Sequence, residues 1–108
     1  MELNDYQKAA LSTAIYPNDG KISYLALAIC GEAGEAADKV KKVLRDKQGQ
    51  FYNADLTAIA LELGDILWYI ANLASVLGFS LSDIATLNID KINGRVERGT
   101  LHGTGDNR

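Results

Sequence analysis

The sequence predicts an all-α, antiparallel four-helix domain, and three observations carry that prediction. Apolar residues recur every third or fourth position along most of the chain. Stop signals at "PNDG" (17–20), "KQGQFYN" (47–53) and Gly78 cut this pattern into four stretches joined by short connections. No run of alternating apolar and polar residues is long enough for a convincing strand.

The first helix is expected over residues 4–16. Asn4 with Gln7 three positions later reads as a capping box, and Leu3, Tyr6, Ala10 and Thr13 follow at helical spacing. Pro17 ends it, because proline disfavours helical geometry in the residue before it. The second helix runs from about Ile22 to Asp46, with Ile22, Leu25, Ile29, Ala33, Ala36, Val40 and Val43 as its apolar stripe. Gly49 is its terminator, and Asn53 or Asp55 opens the next.

The third helix, about 54–77, has a heptad-like seam of Leu56, Ile59, Leu63, Ile66, Ile70, Leu73 and Leu77. Its other faces, with Ala58, Leu61, Trp68 and Ala71, are also mostly apolar. Three other helices in a chain this short are too few to cover it. A partner subunit in a closed homo-oligomer, most simply a two-fold dimer, is therefore expected to cover it. In the fourth helix "SLSD" forms a cap from Ser80 to Asp83, and Ala85, Ile89, Ile92 and Val96 form the apolar stripe as far as about Arg98. Residues 1–98 thus read as a single helical domain. The remaining "GTLHGTGDNR" (99–108) reads as a flexible tail.

Composition narrows the function. The 108 residues suit one domain, and the formal charge of −3 disfavours binding to a nucleic-acid polymer. One cysteine, Cys30, excludes an internal disulfide framework and fits a reducing compartment. There is no charged-then-apolar leader and no uninterrupted apolar run near the length of a membrane span, so a cytoplasmic protein without a membrane partner is expected.

The chemistry lies in two acidic pairs. "EAGE" (32–35) on the second helix is echoed by "ELGD" (62–65) on the third, each with a glycine before its second acid. Acids three apart share a helix face, so Glu32, Glu35, Glu62 and Asp65 meet if the two helices face each other. Four carboxylates in a partly desolvated cleft must be protonated or neutralised by cations. An all-oxygen donor set selects hard ions, Mg²⁺ or Mn²⁺, with Ca²⁺ also fitting. The only histidine, His102, lies in the tail, which removes the ligands for di-iron or zinc chemistry.

A basic stripe on the fourth helix, Asn88, Lys91, Arg95 and Arg98, suits a polyphosphate beside such a metal site, and Lys39 projects towards the same side. Tyr69 shares the face of Glu62 and Asp65, where its ring can stack on a base. Alone, each feature also fits a solvated or core face. Alternatives are a non-enzymatic, metal-stabilised helical dimer and, behind it, a hydrolase that removes the terminal phosphate.

With these residues in place, the chain resembles the MazG-like, all-α nucleoside triphosphate pyrophosphohydrolases. Their signature is an E-x-x-E helix followed by E-x-x-D, here separated by 26 residues. "GEAGEAADKVKK", "ELGDILWYIA" and the basic "LNIDKINGRVERG" are similar to family sequences beyond the four acids. Gly31 stands where many members carry a further glutamate. The resemblance implies a helical bundle completed by dimerisation. It also implies Mg²⁺-dependent hydrolysis of a ribo-, deoxy- or modified nucleoside triphosphate to monophosphate and pyrophosphate. Glu32, Glu35, Glu62 and Asp65 match the metal ligands, and Glu35 is the expected residue to orient the attacking water. Lys39, Tyr69, Asn88, Lys91 and Arg95 are the expected substrate contacts. The glycines are expected to let phosphate and the neighbouring helix approach the acids.

Overall fold

In a computed structural model describing residues 1–108, four helices form: α1 (Leu3–Ser12), α2 (Lys21–Asp46), α3 (Asn53–Leu77) and α4 (Leu81–Arg98), with no strand. The stops act as the sequence indicates. Gly49 and Gly78 take left-handed backbone angles, φ 76° and 84°, which glycine adopts without steric cost. The Phe79 N–H returns to the Ala74 carbonyl and closes α3, and the Ser80 hydroxyl accepts from the Asp83 N–H at 3.0 Å to open α4. At the start of α3 Asp55 reaches back to the Tyr52 N–H at 2.9 Å, so Tyr52 is the cap and Asp55 its partner.

The first helix departs from expectation. It ends at Ser12, four residues early, where the Ser12 and Thr13 hydroxyls donate back to the Ala9 and Ala10 carbonyls. Its cap is Glu2, and Asn4 and Gln7 form no capping box. Both reach across the molecule instead. Asn4 Oδ1 accepts from the Ser82 N–H at 3.1 Å, and Gln7 Oε1 accepts from the Leu81 N–H at 2.9 Å. Gln7 Nε2 donates to Ser75 Oγ and to the Phe79 carbonyl, each at 3.0 Å. One buried amide therefore serves the end of α3 and the start of α4, satisfying groups that helix ends leave unpaired.

Helices α2 and α3 run antiparallel, shown by Lys47 against Asp55 and Lys39 against Glu62: numbers fall on one as they rise on the other. Helix α1 crosses the second half of α3, with Gln7 beside Ser75 and Thr13 beside Trp68. The core there is small: Ala10, Ala71, Ala74 and Leu81, edged by Tyr6, Trp68, Ile70 and Ile84. Alanines at the contact let the helix backbones approach closely. Helix α4 packs on α1 and α3 but does not touch α2, so the four helices do not close a bundle within one chain.

Helix α3 is consequently far from buried. Ile59, Ile66, Ile70 and Leu73 of its seam are half-buried, whereas Leu56, Leu61, Leu63, Leu67 and Leu77 are exposed. Although interrupted by acids, α3 is long and apolar enough by length and composition to cross one. Glu62 and Asp65 sit near its middle, where a charge costs about 2.5–3.5 kcal/mol in a bilayer core.

Replacing Gln7 by leucine should leave the Leu81 N–H and neighbouring α3 groups without partners, costing on the order of 3 kcal/mol. For a domain of this size that lowers the melting temperature by about 12 °C or more, measurable by circular dichroism.

Candidate active site

The antiparallel register of α2 and α3 decides which acids meet. Glu62 and Asp65, one turn apart on α3, face Glu32 of α2, and one oxygen from each of the three lies within 4.8 Å of the others. Glu62 has a side chain only 13% exposed, Glu32 is half-buried and Asp65 is open to solvent. Burial raises the Glu32 pKa above the ordinary carboxylate value, and the charges of Asp65, Glu62 and Glu35 push it further the same way. Lys39, two turns along α2, donates to Glu62 Oε1 at 2.5 Å, and this bond raises the lysine's own pKa. Three carboxylates thus share one ammonium. The trio is under-neutralised.

Glu35 is exposed, lies outside the close trio and contributes to the field on Glu32. Towards the end of α2, Lys39 opens into a cleft of about 270 Å³ lined also by Lys42, Lys47, Asp46 and Asp55. Towards the other end, Glu32 and Asp65 line a cleft of about 310 Å³ with Trp68 and Tyr69, whose rings meet edge to face at 4.9 Å. Trp68 is fixed by its indole N–H donating to Thr13 Oγ1 at 2.9 Å. Burial raises the Tyr69 pKa first, followed by the charges of Tyr24, Glu32 and Asp65. Tyr69 therefore lies where the α3 face places it.

The fourth-helix residues lie elsewhere. Asn88 and Lys91 line a shallow cleft with Ile84 and Leu87, and Arg95 is buried under residues 99–108. None of them approaches α2 within the same chain. The glycines also need a correction. A Cβ built at Gly31, Gly34 or Gly64 meets nothing within 4 Å, so no neighbouring helix of this chain requires them. The open space beside the acids remains available to an outside group.

Sequence reasoning missed several residues here. Tyr6, assigned only to a packing stripe, reaches the site closely enough for Asp65 to help raise its pKa, after burial. Asn72 is fully buried, donates to the Trp68 carbonyl at 3.0 Å and accepts from the Tyr16 hydroxyl at 3.2 Å. It fixes the turn that carries Trp68 and Tyr69. An asparagine within an apolar helix was the available signal. Lys42 and Lys47 were legible only as surface charges.

The MazG nucleotide pyrophosphohydrolase domain matches residues 21–100, which span α2, α3 and α4. The chain belongs to this family. Its members are all-α proteins that act on nucleotides and are generally dependent on divalent metals. The chain is also similar to the Gene 37 protein of Mycobacterium phage L5, at 44% identity over 114 residues covering the whole of both chains. That name specifies no activity. No solved structure matches.

The residues fit a divalent cation. All three close donors are hard oxygens, and burial followed by like-charge repulsion raises the Glu32 pKa, as expected for a site that lacks enough positive charge. A carboxyl whose pKa is raised by folding contributes its stability below the ordinary carboxylate range and loses it as pH rises through the raised value. At neutral pH Glu32→Gln should therefore raise the metal-free melting temperature, as should Asp65→Asn by removing a charge that acts on Glu32. If the trio holds a divalent cation, a thermal-shift titration with Mg²⁺ should raise the melting temperature of the natural protein and leave that of both variants unchanged.

Proposed function

We propose that the protein is a Mg²⁺-dependent nucleoside triphosphate pyrophosphohydrolase, converting a ribo- or deoxynucleotide to its monophosphate and pyrophosphate. The trio Glu32, Glu62 and Asp65 carries this reading, because it lies between a lysine-lined cleft and an aromatic one. A nucleotide laid along the α2–α3 groove puts its base against Tyr69 and its phosphates on the acids and Lys39.

Glu32, Glu62 and Asp65 would hold the ion, with Glu35 joining from the rim. Mg²⁺ or Mn²⁺ bound there would neutralise charge developing on the leaving pyrophosphate and acidify a nearby water. Water adds across the anhydride between the first and second phosphates, and the proton it loses needs an acceptor. Glu35, exposed one turn from Glu32, can orient that water and take the proton. Lys39, bonded to Glu62 here, would turn to a phosphate oxygen of the bound nucleotide. Tyr69 and Trp68 shield one side of the site from solvent.

The same reading includes a homo-oligomer, dimer or dimer of dimers. The exposed leucines of α3 and the exposed Leu87, Ile89 and Val96 of α4 support it, as does the separation of the basic α4 stripe from α2 within one chain. Association would bring Asn88, Lys91 and Arg95 of one chain to the cleft of another, where they hold phosphate.

Two experiments test these statements. A panel of ordinary and modified nucleoside triphosphates, incubated with Mg²⁺, should release pyrophosphate from at least one member. Orthophosphate as the sole inorganic product would reassign the cleavage position, and no turnover at all would favour a non-enzymatic module. Leu61 is 66% exposed in a single chain, so Leu61→Asp in a monomer should change stability by no more than about 0.5 kcal/mol. In the oligomer it buries an unpaired charge and should cost about 3–5 kcal/mol, dissociating the protein in light-scattering measurements.

A further inference from the structure

Arg95 is only 8% exposed, and its Nε is buried with no hydrogen-bond partner. No aspartate or glutamate pairs with it. Its one acceptor is the main-chain oxygen of Asp106, 3.1 Å from Nη2. A buried guanidinium without a counter-ion is costly, so its cover is a place where an anion would be favourable. Here the cover is the segment 99–108.

Arg98, one turn later, directs Nε and Nη2 at one terminal carboxyl oxygen of Arg108, the last residue of the 108, at 3.0 and 2.8 Å. The Thr100 hydroxyl donates to the same oxygen at 2.8 Å. A guanidinium fork converging with a hydroxyl on one oxygen is how proteins take hold of a phosphate or carboxylate. Arg108 in turn ties the segment to itself, donating to the carbonyls of Thr100, Gly105 and Leu101 at 2.8, 2.6 and 2.9 Å. Glycines make room for these side chains. A Cβ at Gly103 would lie 2.7 Å from Arg108 Cδ, and one at Gly94 would lie 2.9 Å from Arg98 Nη1.

No residue of 99–108 is buried, so the segment contributes nothing to the apolar core. Polar contacts hold it to α4, and a segment so attached opens at little cost compared with the core helices. We propose that Arg95 and Arg98 form a phosphate-binding site that residues 99–108 fill with the main-chain oxygen of Asp106 and a terminal carboxyl oxygen of Arg108, and that a polyphosphate chain displaces them. This rests on the reading of α4 as a helix that holds the triphosphate. The segment is then a cover that a nucleotide must displace, and apparent affinity is reduced by the fraction of molecules that are covered.

The test uses the full chain and inorganic tripolyphosphate at constant ionic strength without Mg²⁺, so that the acidic trio is not engaged. Amide hydrogen exchange over residues 99–108 should accelerate saturably as tripolyphosphate is added, while α1 to α3 remain unchanged. Arg108→Ala, which cuts the segment's internal ties, should speed exchange there without ligand and tighten tripolyphosphate binding by about tenfold. Thr100→Val should shift both in the same direction by less. Arg95→Ala should abolish the response to tripolyphosphate.

Absence of tripolyphosphate binding, binding that leaves exchange in the segment unchanged, or weaker binding by Arg108→Ala would each overturn the proposal. The catalytic reading fails separately. Opening of the segment by tripolyphosphate in a protein that hydrolyses no nucleotide would keep the cover and discard the hydrolase. Turnover with a segment that never responds would do the reverse.

Discussion

Repulsion among Glu32, Glu62 and Asp65 is the constraint to which the other features of the molecule relate. Bringing three carboxylates to within 4.8 Å, with burial acting on the first, is unfavourable in isolation and follows only from packing elsewhere. The antiparallel register of α2 and α3 imposes it, and ion pairs such as Lys47 with Asp55 mark that register. Lys39 relieves part of the repulsion through Glu62. Adding one divalent cation would turn this unfavourable contact into a favourable one, which is how a folded scaffold stores affinity for a metal.

Helix α3 serves two purposes that divide its length. Its second half is anchored by small residues, Ala71 and Ala74, against Ala10 and Leu81, with Gln7 and Asn72 satisfying polar groups around them. That rigid end positions Trp68 and Tyr69. Its first half carries Glu62 on the α2 side and exposed Leu56, Leu61 and Leu63 away from it. A helix that is apolar on nearly all faces but packed on only some explains why its composition satisfies the criteria for a membrane span while its acids do not suit one.

The legible part of this protein was local. The apolar period, the glycine stops and the Ser80 cap are properties of neighbouring residues, and they placed α2, α3 and α4 to within a residue or so. The acids were legible because their i, i+3 spacing fixes a face whatever the helix packs against. Asn4 and Gln7 misled because the pattern that makes a capping box also suits side chains reaching 70 or more residues away, as the bonds to Ser82 and Leu81 do. The direction of α4 was not legible either. It depends on how three residues, 78–80, turn the chain, and an amphipathic stripe does not encode that. Arg95 looked like a solvent-facing cation because nothing in "GTLHGTGDNR" indicates that it folds back over the helix.

The central claim is that the acidic trio is a metal centre for nucleotide chemistry. Anomalous diffraction from crystals grown with Mn²⁺ and a nucleoside triphosphate analogue bridged by methylene between the first two phosphates tests it most directly. The account predicts an anomalous peak bounded by Glu32, Glu62 and Asp65, with phosphate oxygens on the same ion and the base beside Tyr69. Manganese bound instead at exposed acids such as Asp38 or Asp46, with the trio still held by Lys39 alone, would contradict it.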